Sequence, residues 1–322
     1  MKGLATDIGG TNARLAIVQD LEIEIIKIYP TKKFKSALEL FSKFQEDIGD
    51  RLPSRWAVAA AGVTTSEMIR GTNIGWDIVK EELKDFFQLE TCILLNDFEA
   101  AAYGLATLNE KKLVRIGGNL SNDKGTRALL GAGTGLGEAI CIYCGDEGWK
   151  VIRSEGGHCS FAPTDETEIG LLQFLKQKYG HVSYERILSG TGLIELYEFF
   201  AQKTYDTHQN HYRRPIKSPA QITELAKKND ELCQRVIGLF CRILGEEAGN
   251  LALKSLPDGG IFIGGGIPPR IISWLKKGQL RKGFEEKGRM TNLLQELPIF
   301  VVDEPYLGIY GGAYKLQLSL NL

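Results

Sequence analysis

Three glycine-rich corners set the tightest limit on what this chain can become. DIGGTN (7–12), GAGTGLG (131–137) and GGIFIGGGIPP (259–269) each follow or interrupt an apolar run. Glycine at such a corner permits positive φ and lets backbone N–H groups approach an anion. LATDIGGTNARLAIV and TRALLGAGTGLGEAICIYC (126–144) both read as strand, glycine turn, strand, and LEIEIIKIY (21–29) and GWKVIRSE (148–155) each add a third strand. The shared three-strand opening predicts two related α/β halves, although no strong sequence repeat shows.

Helical spacing fills the gaps between strands. SALELFSKFQEDIG (36–49) is apolar at 38, 41, 44 and 48, and Gly49 is a stop signal. RWAVAAAG (55–62) and CILLN (92–96) read as buried strands, while DIVKEELKDFF (77–87) and DFEAAAYGLATL (97–108) read as helices. Asp165 with Glu168 forms a capping box for the helix that ends at Gly180. GTGLIELYEFFAQK (190–203) and residues 230–256 are apolar at helical spacing, PIFVV (298–302) is a last strand, and LGIYGGAYKLQLSL is a terminal helix. Residues 204–220 are polar and read as a surface loop.

The composition excludes several classes. A net charge of −1 gives no global pull toward nucleic acid or anionic lipid. No run of about 18 uncharged apolar residues predicts a membrane span, and MKGLATDIGGTN is strand-like, not a signal peptide. The six cysteines fall mostly inside apolar segments and read as reduced core thiols of a cytoplasmic protein. Cys141 and Cys144 lie three apart on a strand, hence on opposite faces, which is poor metal geometry; the HxxH of His208 and His211 reads as a solvated loop.

The corners themselves can cradle a nucleotide's phosphates, with Thr11 and Thr134 placing hydroxyls in two of them. GxxxxGK[ST] is absent, and GAGTGLG has Leu136 where the dinucleotide spacing needs its third glycine. Phosphate binding must therefore use backbone amides, hydroxyls and a metal. Asn96 and Asp97 close the run CILLND at the carboxyl end of a strand, where α/β sheets bind ligands. Local sequence alone favours a helix cap there.

In this order and spacing the motifs resemble the bacterial glucokinase family, the ATP-dependent hexose kinases of the actin-like ATPase superfamily. DIGGTNARLAIV is similar to the superfamily's first phosphate motif, GAGTGLG to its second and GGIFIGGGIPP to its adenosine motif; LLNDFEA, SEGGHCSFAP and HVSYERILSG resemble the family's sugar-site segments. The resemblance implies two actin-like (ribonuclease H-like) α/β domains with a central cleft. The small one would take residues 1–109 plus 306–322, with sugar-site residues and the first phosphate motif. The large one would take 110–305, with the second phosphate and adenosine motifs.

It further implies that Asp97 is the general base on the 6-hydroxyl of glucose, and that Asn73, Asn96, Asp97, Glu155, His158 and Glu185 bind the sugar. Thr6, Asp7, Ile8, Gly9, Gly10, Thr11, Gly133, Thr134 and Gly265 would hold ATP, with Asp7 reaching Mg²⁺ through water, as an ion that keeps several waters requires. A structural histidine is the competing reading of His158, and a surface helix residue that of Glu185. The segment after His158, CSFAPTDETE, holds one cysteine and no cluster, which departs from the zinc-binding ROK branch. The implied partners are glucose, ATP and a second copy of the chain. Kinases for another hexose or an amino sugar, and a non-catalytic actin-like regulator, are the alternatives.

Overall fold

The computed structural model describes residues 1–71, 74–120, 122–207 and 215–319. The chain groups into two compact units: Met1–Asn109 with Cys141–Arg153 and Glu304–Leu322, and Glu110–Ile140 with Ser154–Asp303.

In chain order the elements are β1 (Lys2–Ile8), β2 (Asn12–Gln19), β3 (Glu22–Pro30), α1 (Ala37–Ile48), β4 (Arg55–Ala60), β5 (Gly62–Thr64), β6 (Met68–Gly71), β7 (Ile78–Val79), α2 (Lys80–Phe87), β8 (Thr91–Asn96) and α3 (Asp97–Gly104). There follow β9 (Leu113–Gly117), β10 (Arg127–Ala132), β11 (Leu136–Tyr143), β12 (Trp149–Ser154), α4 (Glu166–Tyr179), α5 (Gly190–Thr207), α6 (Pro219–Lys227), α7 (Glu231–Ser255) and β13 (Gly260–Gly264). The chain closes with α8 (Ile272–Leu275), α9 (Gln279–Glu285), α10 (Thr291–Glu296), β14 (Ile299–Val302) and α11 (Leu307–Leu318).

The first unit is built on a sheet ordered β3-β2-β1-β4-β8, antiparallel across β1–β2 and β2–β3 and parallel across β1–β4 and β4–β8. Parallel strands covered on both faces read as continuous apolar runs, and RWAVAA of β4 is such a run, buried from Trp56 to Ala60. One face packs on α1, where Phe41 stacks on Trp56 with ring centroids 4.7 Å apart. α1 starts where Ser36 accepts the Glu39 N–H at 3.2 Å, and stops at Gly49 with φ 67°. The other face is alanine-rich and takes α11 closely: a Cβ on Gly312 would lie 3.4 Å from the Ala5 Cβ, and one on Gly311 would run into the Ala100 carbonyl of α3. The glycines of the terminal helix are therefore packing positions.

The second large sheet is ordered β12-β11-β10-β13-β14-β9, parallel across β10–β13 and β13–β14 and antiparallel across β14–β9. In the second unit α7 is the central helix, with fifteen of its residues buried, Glu246 and Glu247 among them. The expected loop over 204–220 is shorter than the sequence suggested, because α5 continues to Thr207 and α6 begins at Pro219. Proline at the first helical position suits a helix start, a signal masked by the polarity of the stretch. His208 and His211 lie outside the described residues. Among the described residues, no helix is long and apolar enough to cross a membrane.

Candidate active site

In the first unit, β1 carries the first glycine corner at its carboxyl end. Strand alternation separates its predicted ligands. Thr6 and Ile8 face inward and are fully buried; the Thr6 hydroxyl donates to the Ala59 carbonyl at 3.2 Å and accepts the Ala59 N–H at 3.0 Å. The Thr6 side chain thus ties β1 to β4, and neither the Thr6 nor the Ile8 side chain is open to a ligand. Asp7 points to the opposite face, where its Oδ2 accepts from Arg14 Nη1 at 2.7 Å. A Cβ on Gly308, in the first turn of α11, would lie 3.5 Å from the Asp7 Cβ.

The corner is held from behind: the Gly9 N–H donates to the Asn12 carbonyl at 2.9 Å, the Thr31 hydroxyl to the Gly9 carbonyl at 2.6 Å, and the Thr31 N–H to the Thr11 carbonyl at 3.0 Å. Thr11 is exposed, and no hydrogen bond among the described residues uses its hydroxyl. Gly10 sits beside it on the half-exposed side of the turn.

The β8–α3 junction lies on the same carboxyl edge, since Ile8 pairs with Ala60 and Ala60 with Asn96 across the parallel ladder. Asn96 is the helix cap. Its Oδ1 accepts the N–H groups of Phe98 at 2.9 Å and Glu99 at 3.2 Å, and its Nδ2 donates to the Gly62 carbonyl at 3.2 Å. Asp97 is the first residue of α3, and its Oδ1 accepts the Phe98 N–H at 2.8 Å. The positive end of the helix dipole favours a carboxylate there. Asn73, expected to touch the sugar, lies outside the described residues.

In the second unit the other two corners adjoin, because β10 and β13 are neighbouring parallel strands with Gly131 opposite Gly264. Gly133 donates to the Gly135 carbonyl at 2.9 Å, and a Cβ on Gly133 would lie 3.6 Å from the Gly266 nitrogen. Gly265 has φ 93°, and a Cβ there would collide with the Ala132 carbonyl, so both conformation and space demand glycine. Thr134 is exposed at the tip of its corner. Thus Gly133, Thr134 and Gly265 are brought together at one edge.

Glu155, His158 and Glu185 also converge in this unit. His158 Nδ1 lies 3.8 Å from Glu185 Oε1 and its Nε2 lies 3.9 Å from Glu155 Oε2. His158 and Glu155 are largely exposed, whereas Glu185 is held by the Leu136 N–H, which donates to its Oε2 at 3.0 Å. The two segments are laced together by the Tyr184 N–H to the Cys159 carbonyl at 3.1 Å and the Phe161 N–H to the Val182 carbonyl at 2.9 Å. Two carboxylates beside an imidazole, on rigid segments, offer directional acceptors for sugar hydroxyls.

No group of three or more His, Cys, Asp or Glu side chains among the described residues is arranged to hold a metal ion directly. Asp7, with one oxygen committed to Arg14, fits an ion held through water. Arg14, Gly62 and Gly308 are contacts the sequence reading missed. The β1–β2 register that pairs Asp7 with Arg14 was available in principle from the turn, since both strands run directly from it.

Glycine corners at the carboxyl ends of strands in both units and a carboxylate at a strand–helix junction are the kinds of parts that a phosphotransferase uses. The family profile described as "Glucokinase" matches residues 4–319. A curated glucokinase of Campylobacter jejuni subsp. doylei is 37% identical over 99% of this chain and 95% of its own length. A crystal structure of glucokinase from an Antarctic psychrotroph is 31% identical, covers 98% of each chain and superposes with a TM-score of 0.85. A ROK family glucokinase from Streptomyces griseus, in complex with glucose and AMPPNP, covers 97% of this chain and 98% of its own at 19% identity and a TM-score of 0.67, a likeness of fold. The chain belongs to the glucokinase family, ATP-dependent hexose kinases of the actin-like fold.

Proposed function

We propose that Asp97 is the general base that takes the proton of the glucose 6-hydroxyl as that oxygen attacks the γ-phosphorus of ATP. The observation that carries this reading is the division of labour at the β8–α3 junction: Asn96 caps the helix through two N–H groups, so the adjacent carboxylate is not needed as the cap. Phosphoryl transfer needs alignment, charge neutralisation and a proton acceptor more than covalent help. Glu155, His158 and Glu185 supply acceptors that orient the sugar hydroxyls, with Asn73 and Asn96 as further sugar contacts. The corners at Gly9–Thr11 and at Gly133–Thr134 and Gly265 supply amides and hydroxyls to the nucleotide, and Asp7 would hold Mg²⁺ through water. That ion would neutralise charge on the phosphates. The bound glucose and AMPPNP of the Streptomyces griseus relative support the same pair of substrates here. The family resemblance supports a cytoplasmic homodimer.

The test is a coupled assay with purified protein, ATP with and without Mg²⁺, and a panel of glucose, fructose, mannose, N-acetylglucosamine and N-acetylmannosamine. Glucose 6-phosphate formed in step with ADP, only with Mg²⁺, is the expected result. Turnover confined to another sugar would reassign the acceptor, and tight ATP binding without any sugar phosphate would indicate a nucleotide-dependent regulator.

A further inference from the structure

Beneath the His158 turn lies a pair of carboxyl groups that the reaction does not use. Glu138, on β11, is 2% exposed and Glu247, on α7, is fully buried. Each has an Oε1 without a hydrogen-bond donor among the described residues. The two carboxyl groups lie within interaction range of each other, so a proton on one can serve both. A Cβ on Gly156 would strike the Glu138 carboxyl, so that group is in direct contact with the turn that carries Glu155 and His158. From the other side, Asn250 Nδ2 donates to Glu247 Oε2 at 2.8 Å and to the Tyr184 hydroxyl at 3.0 Å, and Tyr184 precedes Glu185. The pair therefore touches the turn that bears Glu155 and His158 directly, and reaches the segment that bears Glu185 through Asn250.

We propose that Glu138 and Glu247 share one proton and act as positioning residues, seating Glu155, His158 and Glu185 for the sugar. This rests on the sugar-binding assignment of those three residues. Like charges in a dry site cannot both ionise cheaply. Burial first, and then the Glu247 charge, push Glu138 up to about 8; burial also raises Glu247, against the pull of Asn250, Lys254 and Glu138 itself. The other charged or titratable groups facing the pair are Lys254, 3.9 Å from Glu247 Oε1, together with Lys287, Glu246 and Tyr184. Lys254 reaches Glu247 only, and Glu138 has no cation within ion-pair distance among the described residues, so a shared proton supplies the donor that Glu138 lacks. Above about pH 8 the proton leaves, two negative charges face each other under Gly156, and the turn shifts.

The test uses Glu138→Gln, an isostere of the protonated acid that keeps a donor to Glu247 at every pH. In the wild type the glucose KM rises as pH goes from 7 to 9, while the ATP KM changes much less. In Glu138→Gln the glucose KM at pH 7 stays within about threefold of wild type and its alkaline rise is lost. The chemical-denaturation midpoint is read in parallel, because it follows the shared proton whether or not the three residues bind sugar. A group whose folded pKa lies above its unfolded one stabilises fully below the unfolded value and loses that contribution as pH rises through the folded value. The midpoint therefore falls toward pH 8–9 in wild type and falls less steeply in Glu138→Gln. An unchanged midpoint slope in the variant overturns the shared proton. A flattened slope with an unaltered glucose KM profile overturns the positioning role and leaves the pair a stability feature. Glu247→Gln is made as well, since an amide–carboxyl pair satisfies the same contact; if neither variant folds, a neutral partner is not tolerated and the proposal fails.

Discussion

Replacing Asp97 by Asn separates chemistry from folding in one substitution. Asn keeps the shape and an oxygen acceptor, so the Phe98 N–H, now 2.8 Å from Asp97 Oδ1 and 2.9 Å from Asn96 Oδ1, loses neither partner. What is lost in the fold is a negative charge in the first turn of α3, about 0.3–1 kcal/mol. What is lost in the reaction is the proton acceptor, about 10²–10⁴-fold in kcat, or about 2.7–5.4 kcal/mol of barrier at 1.36 kcal/mol per tenfold. The effect on the barrier should thus exceed the effect on stability several times over. Initial rates from a coupled glucose 6-phosphate assay, set beside urea denaturation of the same preparation, give both numbers. A kcat within about threefold of wild type (under 1 kcal/mol) would refute the general-base role. A stability loss large enough to account for the lost activity would refute the division of labour between Asn96 and Asp97.

Three further outcomes follow from neighbouring observations. Asn96→Ala removes the acceptor of two helix N–H groups and the donor to Gly62, and urea titration should show a loss of about 1–2 kcal/mol, whereas Asn96→Asp should restore most of it. Gly265→Ala forces a side chain into φ 93° against the Ala132 carbonyl, so the ATP KM should rise and stability should fall by about 1–3 kcal/mol; an unchanged ATP KM would remove Gly265 from the nucleotide site. Burial first, and then the Glu168 charge, raise Glu246 to about 8, so its contribution to stability is full below the ordinary carboxylate range and is lost as pH rises through about 8. Glu246→Gln should therefore flatten part of the alkaline fall in the denaturation midpoint, and an unaltered slope would contradict the assignment.

The parts of the site that depend on local chain order were legible in the sequence. Glycine corners announce themselves through composition, and the step from CILLN to DFEA marks both a strand end and a helix start, so the Asn96–Asp97 junction could be placed without coordinates. Glu155 and Glu185 were reachable only by resemblance, because their approach to His158 depends on the lacing of residues 156–161 against 181–185. Period-two alternation sets Asp7 apart from Thr6 and Ile8, since a strand sends alternate side chains to opposite faces. Arg14 beside Asp7 and Glu138 beneath Gly156 come from strand register and from contacts between distant segments. Nothing in the local composition of GLGEAI marks its glutamate as buried. The short hairpin of β6 and β7 and the brief helices α8 to α10 carry too few residues for periodicity to show. Glycine lowers helix propensity, yet the missing side chain of Gly311 in the last helix is what admits the Ala100 carbonyl.

The central claim, that the Asp97 carboxylate receives the acceptor's proton, is tested most directly by a crystal structure of this protein with glucose and a non-hydrolysable ATP analogue. An Asp97 oxygen about 2.6–3.2 Å from the glucose 6-oxygen, on the side away from the nucleotide, is the predicted result. A 6-oxygen contacted by another side chain, with Asp97 turned back onto the α3 backbone, would contradict the account.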